Sequence, residues 1–281
     1  MKPPRPRPFR APRPAPAPAP AAPPPAPGPV ARPPRPAPPE PDRLCGPVAV
    51  AAAFAHRPEA VLRLFYAASR RAEAGPFCAR LARARKPYRE VPPEELARIA
   101  GTAHHGGIVA VAAPRPVPPL PAPEALPAGL LPVLDEVGNP HNLGAIARSA
   151  AFFGCKALLL SGDPRQAGLS DAAWRTSEGG LEALALYRAP DLPAALRALA
   201  PRYLTVAAVA RGGVAPVALP CGRPIALVLG NEEQGLAEET VAACSARVTL
   251  PGSGLVESLN VSVAAAVLMH ALRDAGHAPV I

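Results

Sequence analysis

The sequence predicts an α/β fold with a parallel sheet, and three observations support this prediction. From Leu130 onward, short apolar runs typical of buried strands alternate with helical patterns. A proline-rich stretch separates this region from an earlier, smaller α/β pattern. The chain has 281 residues, which is enough for one large or two modest domains.

Residues 1–42 are expected to form a disordered tail. They contain 20 of the 44 prolines, and they carry +5 of the net charge of +9. Alternating Ala-Pro repeats favour extended polyproline II and cannot build a core. An electrostatic tether for RNA and a merely solvated extension both fit this composition.

Residues 43–115 predict a compact α/β module, called here the N-terminal module. The module is expected to begin with a helix and a strand that are separated at Pro58. Two more helices and a second strand are expected to follow. Prolines at the start of the third helix, followed by acidic residues, are typical of a helix N-terminus. The expected elements are helices over 48–54, over 77–85 and from 92 onward, and strands around 61–64 and over 108–113.

Residues 116–129 predict a stiff linker, and residues 130–281 predict the second domain. Taken alone, its pattern favours an ordinary doubly wound sheet. Strands are expected at Leu130–Val137, Ala157–Ser161, Tyr203–Ala208, Ile225–Leu229 and Ala246–Leu250. Helices are expected at Asn142–Phe153, Leu192–Ala200, Thr240–Cys244 and Leu259–Ala275, with Gly276 ending the last one.

Composition excludes several classes of protein. No apolar run is long enough for a transmembrane helix, and no secretory signal is expected. Five scattered cysteines without a CxxC pair predict reduced, buried thiols in a cytoplasmic protein. The pair His104–His105 has no cysteine pair nearby, so no metal site is expected.

The net charge of +9 comes almost entirely from arginine, because only Lys2, Lys86 and Lys156 are lysines. The planar guanidinium suits phosphate, so a nucleic-acid partner is the leading interpretation. A GC-rich genome explains the arginine bias equally well. The basic helix with Arg80, Arg83, Arg85 and Lys86 is the candidate RNA contact, although a solvated helix face fits the same pattern.

Three segments place polar residues where predicted strands end. In the first, Asn142 is expected to cap a helix on which Arg148 follows six residues later. In the second, Gly230 and Glu232 follow a buried strand, and Glu232 could hold an arginine or accept a proton. In the third, a glycine loop leads to Ser258 and Asn260 at a helix start. Each segment alone also fits an ordinary turn or helix terminus.

Together these segments resemble the motifs of a known family. N-P-H-N-L-G-A-I-A-R, L-V-L-G-N-E-E-Q-G-L and L-P-G-S-G-L-V-E-S-L-N-V-S are similar to the three motifs of SpoU/TrmH RNA 2′-O-ribose methyltransferases, members of the SPOUT superfamily. The resemblance implies S-adenosylmethionine as cofactor, structured RNA (rRNA or tRNA) as substrate, and a trefoil knot in the catalytic domain. It also implies an L30e-like substrate-binding domain before it, and a homodimer with its active site at the subunit interface.

The resemblance also assigns roles to individual residues. It implies catalytic-site positions for Asn142, Arg148, Glu232, Ser258 and Asn260. It implies cofactor contacts, largely through backbone groups, for Gly230, Leu250 and Leu259. One departure stands out, because Gly252 occupies a position where the family commonly has a methionine.

The family assigns Arg148 to activation of the ribose hydroxyl, but an arginine is effectively always protonated near neutral pH. A less demanding role is to clamp the neighbouring phosphate and stabilise the forming alkoxide while phosphate or water takes the proton. Two other functions remain open: a non-catalytic RNA-binding or ribosome-assembly protein, and a base-methylating SPOUT enzyme. A nicotinamide-dependent enzyme is disfavoured because no G-x-G-x-x-G follows an early strand.

Overall fold

The computed structural model describes residues 40–220 and 222–273. Nearly all of the predicted tail, Cys221 and the predicted helix end at Gly276 lie outside the described residues.

The N-terminal module contains a four-stranded sheet in the order β1-β4-β2-β3. Strand β4 runs antiparallel to β1 and β2, whereas β3 runs parallel to β2. The three predicted helices and two predicted strands are confirmed, and β1 and β3 are additions, since neither contains a continuous apolar run. The strands are Asp42–Cys45, Val61–Tyr66, Tyr88–Glu90 and Ile108–Ala112, and helices α1 to α3 are Pro47–His56, Arg71–Arg83 and Pro93–Ala100.

The second sheet has six strands in the order β10-β8-β9-β5-β6-β7, and every paired strand is parallel. The predicted parallel α/β architecture is therefore confirmed. Strands β5 to β10 are Leu130–Leu134, Ala157–Ser161, Ala185–Ala189, Leu204–Ala208, Ile225–Leu229 and Ala246–Val248. Helices α4 to α9 are Pro140–Phe152, Asp171–Ser177, Gly180–Ala183, Leu192–Leu199, Glu238–Ala242 and Val261–Leu272.

Burial explains which strands could be predicted from the sequence. All residues of β6 and β9 are buried, and nearly all are apolar, as expected for inner strands of a parallel sheet covered on both faces. Strand β7 was not predicted, because Arg188 and two half-buried positions interrupt its apolar pattern. The short helices α5 and α6 were also missed, since neither is long enough to show a clear helical period.

An ion-pair cluster, called here the junction cluster, joins the two parts of the chain. The Arg57 guanidinium donates to both carboxylate oxygens of Glu182 at 2.8 Å and to Asp42 Oδ2 at 2.9 Å. Arg115 adds bonds to the Leu184 carbonyl at 2.5 Å and to Glu182 Oε2 at 3.4 Å. Burial lowers the pKa of Arg115, whereas the nearby Glu182 carboxylate opposes this change. The cluster therefore ties the N-terminal module to helix α6 through buried charges.

Three predictions about composition can be compared with the described residues. Cys45 and Cys155 are buried, and burial raises the pKa of each thiol to about 11. Cys78 and Cys244 are half-buried and unpaired. Within 40–220 and 222–273, no helix is long and apolar enough to span a membrane, and no cluster of three metal-ligating side chains occurs.

Candidate active site

A cavity of about 580 Å³ lies where strands β8, β9 and β10 end. Residues after β9 form one wall, and the loop after β10 forms another. Its apolar floor includes Val209, Leu229, Val248, Val261 and Leu268. Ligands of parallel α/β proteins bind at this edge of the sheet, so the cavity is the candidate binding site.

Gly230 is required by a tight turn at the end of β9. A Cβ at this position would lie 2.6 Å from the carbonyl carbon and oxygen of Gly235. Asn231 and Gly235 exchange two backbone hydrogen bonds of 3.0 Å, and the Asn231 side chain accepts from the backbone of Glu233 at 2.8 Å. This closed turn fixes the direction in which Glu232 leaves the strand.

A chain of side-chain hydrogen bonds joins the three sequence segments. Asn142 Nδ2 donates to Glu232 Oε1 at 2.6 Å, and Asn260 Nδ2 donates to Asn142 Oδ1 at 3.3 Å. The Asn260 side chain also accepts from the backbone of Ser262 at 2.9 Å and so caps helix α9. Residues separated by 118 positions are therefore held together beside the cavity.

The capping role predicted for Asn142 is wrong. Asn139 caps α4, since its Oδ1 accepts from the backbone of His141 at 2.9 Å, and Pro140 occupies the first helical position. Asn142 lies in the first turn, where its side chain is buried and turned toward Glu232. Its amide therefore organises the candidate site rather than the helix end.

Apart from Arg148, the other residues predicted to contact the cofactor or the substrate line the cavity within a single chain. Leu250, Ser258 and Leu259 all belong to its walls, together with Gly230 and Glu232. Every residue of the loop from 251 to 260 is exposed. The loop also presents Leu255 and Val256 to solvent.

Arg148 lies apart from the other predicted residues. It is not among the residues that line the cavity, and Glu232 pairs with Asn142 rather than with this arginine. Six residues along an α-helix give a net rotation of about 240°, so Arg148 faces away from Asn142. Arg148 is therefore not part of the cavity that a single chain forms, and its catalytic role stays a prediction. Its guanidinium instead pairs with Glu178 at 3.2 Å.

Comparison with known families decides the identity of the chain. Residues 129–270 match the SpoU rRNA methylase family, and residues 43–118 match the RNA 2′-O ribose methyltransferase substrate-binding family. The chain belongs to the SpoU rRNA methylase family. The region with the parallel sheet carries the SPOUT fold, and a small domain that matches the substrate-binding family precedes it. The domain boundaries, the L30e likeness of the small domain and the knot remain predictions.

Individual relatives of this SpoU-family chain agree with that assignment. An uncharacterized tRNA/rRNA methyltransferase of Mycobacterium ulcerans is 37% identical over 188 residues. This match covers 65% of the chain and 60% of the relative, so the chain spans less than two thirds of that protein's length.

Solved structures show the same fold. A candidate RNA methyltransferase of the TrmH family from Porphyromonas gingivalis superposes with a TM-score of 0.67, at 26% identity, covering 83% of the chain and 90% of that protein. The SpoU methyltransferase AviRb from Streptomyces viridochromogenes, solved with AdoMet, superposes with a TM-score of 0.68 at 24% identity. The superposition covers 83% of the chain and 89% of AviRb.

Sequence reasoning missed two polar residues of this SpoU-family site. Asn139 was overlooked as the cap because Asn142 offered the same chemistry three residues later. Glu178 was overlooked because its contact with Arg148 depends on the packing of α5 against α4. The Ser-Glu-Gly-Gly sequence at the boundary of α5 and α6 was the available signal, since paired glycines mark a sharp turn.

Proposed function

We propose that this SpoU-family protein transfers a methyl group from S-adenosylmethionine to a ribose 2′-hydroxyl in structured RNA, either rRNA or tRNA. The hydrogen-bonded chain Asn260–Asn142–Glu232 carries this proposal, because it joins all three motifs at the edge of the cavity. The substrate-binding family match at residues 43–118 supports RNA as the partner.

The cavity fits a cofactor with apolar and cationic parts. Ligand pockets commonly measure about 300–1,000 Å³ and combine apolar walls with a few polar groups. Here the polar wall includes the carboxylates of Glu232, Glu233 and Glu257, and no described lining residue is a lysine or arginine. A positively charged sulfonium suits this surplus of negative charge. S-adenosylmethionine would supply an activated methyl group at this position.

The residues around the cavity have separable tasks in this proposal. Gly230, Leu250 and Leu259 contact the cofactor, largely through backbone groups. Glu232 uses one carboxylate oxygen for Asn142, and no described residue pairs with the other, which is left to accept a bond from a ligand. Ser258 and Asn260 orient the ribose, since both lie on the loop leading into α9.

Arg148 stabilises the reacting ribose rather than removing its proton. A guanidinium offers hydrogen-bond donors and no acceptor, so Arg148 donates to the adjacent phosphate and to the forming alkoxide. Phosphate or water accepts the hydroxyl proton. The chief contribution of the protein is therefore positioning, because the methyl donor is already activated.

A second copy of the chain completes the site in this proposal. Phe152 is 81% exposed and lies four residues after Arg148, on the same face of α4. Helix α9 continues this apolar surface with exposed Val263 and Val267, since Phe153 contacts His270 with ring centroids 5.7 Å apart. A two-fold dimer through this face buries the apolar residues and carries Arg148 toward the partner's cavity.

Mixed dimers test this arrangement. Arg148→Ala and Asn260→Ala homodimers should each be inactive. A heterodimer of the two, purified with two affinity tags, should recover about half of the parent activity, because one of its two shared sites is intact. A heterodimer that is as inactive as either homodimer would show that each chain supplies its own Arg148.

Two of the four basic residues predicted to contact RNA are already hydrogen-bonded within the N-terminal module. Arg80 donates to the Phe54 carbonyl at 3.1 Å, and Lys86 donates to the Glu59 carbonyl at 2.7 Å. Both side chains therefore already stabilise the N-terminal module. Arg83 and Arg85 are exposed and remain the candidate contacts.

Charge reversal at Arg83 should weaken RNA binding and flatten its salt dependence. Losing one phosphate contact lowers the slope of log K against log salt concentration by about 0.9. Filter binding of the Arg83→Glu variant across a salt series measures this slope. Arg197→Glu, an exposed arginine on α7, is the matched control. Equal slopes for both variants would show that α2 does not contact the RNA.

Gly252 offers a direct test of the cavity wall. A Cβ at Gly252 would meet nothing within 4 Å, so the Gly252→Met side chain can cover bound cofactor without strain. We expect an unchanged melting temperature and about fivefold tighter cofactor binding, because partial burial of methionine contributes about 1 kcal/mol. Gly254→Met is the control and should weaken binding, since Gly254 has a φ of +82°. Weaker binding by Gly252→Met, measured by calorimetry, would contradict this account.

Methyl transfer itself distinguishes the alternatives. The full chain is titrated with S-adenosylmethionine by calorimetry and then incubated with bulk RNA and labelled cofactor. Nuclease digestion and mass spectrometry should identify a 2′-O-methylated nucleoside. A methylated base would favour the base-modifying alternative. Cofactor binding without transfer to any RNA would favour the non-catalytic RNA-binding protein.

A further inference from the structure

The turn between α5 and α6 holds an acidic residue in an unusual conformation. Glu178 is left-handed, with φ 43° and ψ 49°, which non-glycine residues rarely adopt. It also lies at the C-terminus of α5, where the helix dipole disfavours a negative charge. Two local penalties at one residue indicate that its side chain serves a purpose elsewhere.

The Glu178 carboxylate contacts Arg148 and leaves most of the guanidinium available. Its Oε1 lies 3.2 Å from Arg148 Nη1, and this is the sole ion pair of Arg148 among the described residues. The two side chains are 58% and 49% exposed. A contact through one nitrogen restricts the arginine side chain while other donors stay free for an anion.

Close packing fixes this carboxylate relative to helix α4. A Cβ at Gly180 would lie 2.9 Å from the Arg148 Cα and 2.8 Å from the Ala147 carbonyl oxygen. The turn therefore rests directly on the backbone that carries Arg148. Since Gly180 allows this approach, Glu178 reaches Arg148 from a rigid support.

The same turn is attached to the N-terminal module. A Cβ at Gly179 would lie 2.7 Å from the Ala52 Cβ, so α1 touches the turn. Glu182, which follows four residues after Glu178, is held by Arg57 of the junction cluster. The orientation of Glu178 is thus set by the part of the chain that matches the substrate-binding family.

We propose that Glu178 is a positioning residue that orients Arg148 toward the substrate phosphate. In this role Glu178 aligns Arg148 with RNA that is bound by the N-terminal module. This inference rests on the proposed RNA methylation. An exposed ion pair adds little to stability, so the effect of Glu178 belongs in turnover. The contact engages one guanidinium nitrogen and leaves the other donors for an anion.

Two substitutions separate this role from a structural one. Glu178→Gly removes the carboxylate and relieves the left-handed strain, so its melting temperature should equal or exceed that of the parent. Its kcat should fall about tenfold, since misplacing a catalytic group slows turnover strongly. Its KM for RNA and its affinity for S-adenosylmethionine should stay within about twofold. Glu178→Gln keeps an acceptor oxygen and should recover part of the loss.

Glu136→Gln provides the matched control, because Glu136 is also left-handed (φ 59°) and pairs with Arg165. It should turn over like the parent. Parent-like kcat in both Glu178 variants would overturn the positioning role while leaving the proposed function intact. A Glu178→Gly variant that loses stability and RNA affinity together would also overturn it. If the parent transfers no methyl group to ribose, the proposed function fails and this inference fails with it.

Discussion

An Arg148→Lys variant should bind S-adenosylmethionine as tightly as the parent and lose roughly a hundredfold to a thousandfold in turnover. Cofactor binding is unaffected because Arg148 does not line the cavity. Lysine keeps the charge but lacks the planar fork that holds two oxygens at once. The phosphate clamp and the alkoxide donor therefore cannot both be replaced.

Single-turnover assays with saturating RNA and cofactor measure this loss directly. Arg197→Lys on α7 is the control, since that exposed arginine has no part in the proposed site. Near-normal turnover in Arg148→Lys would refute any special role for the guanidinium. A large loss accompanied by weaker cofactor binding would instead indicate damage to the cavity.

Among the proposed substitutions, we expect removal of the Glu182 carboxylate to lower the free energy of unfolding most. Its side chain is 1% exposed and pairs with both Arg57 and Arg115. In Glu182→Ala the guanidinium groups of Arg57 and Arg115, whose side chains are each 15% exposed, lose this partner. Breaking a buried pair costs about 3–5 kcal/mol. Thermal unfolding followed by circular dichroism should therefore show a markedly lower melting temperature.

An exposed pair in the N-terminal module provides the comparison. Glu73→Ala breaks a pair with Arg70 in which both side chains are substantially exposed. This change should cost less than about 1 kcal/mol. Equal losses for Glu182→Ala and Glu73→Ala would show that the junction cluster does not hold the two parts of the chain together.

Uniform burial made the central strands predictable from sequence. Strands β6 and β9 are buried along their whole length, so their bounds agree with the predicted Ala157–Ser161 and Ile225–Leu229. Strand β7 has mixed burial, and α6 is a four-residue helix, so neither gave a periodic signal. The junction cluster was also hidden, because its Arg57–Glu182 pair joins residues 125 positions apart.

The candidate site was predictable only in part. Resemblance assembled Asn142, Glu232 and Asn260, which no periodic pattern relates, and the structure joins them by hydrogen bonds. Helix geometry alone would have shown that Arg148 faces away from Asn142. The Glu178 contact depends on the tertiary approach of Gly180 to α4, which no local pattern encodes.

Mapping ribose methylation in total RNA tests the central claim most directly. RNA from cells with and without this protein is compared nucleotide by nucleotide, and the deletion strain is complemented with the parent or with Asn260→Ala. We expect one 2′-O-methylated nucleotide in rRNA or tRNA to disappear on deletion, to return with the parent and to stay absent with Asn260→Ala. An identical methylation map in all four strains would contradict the proposed function.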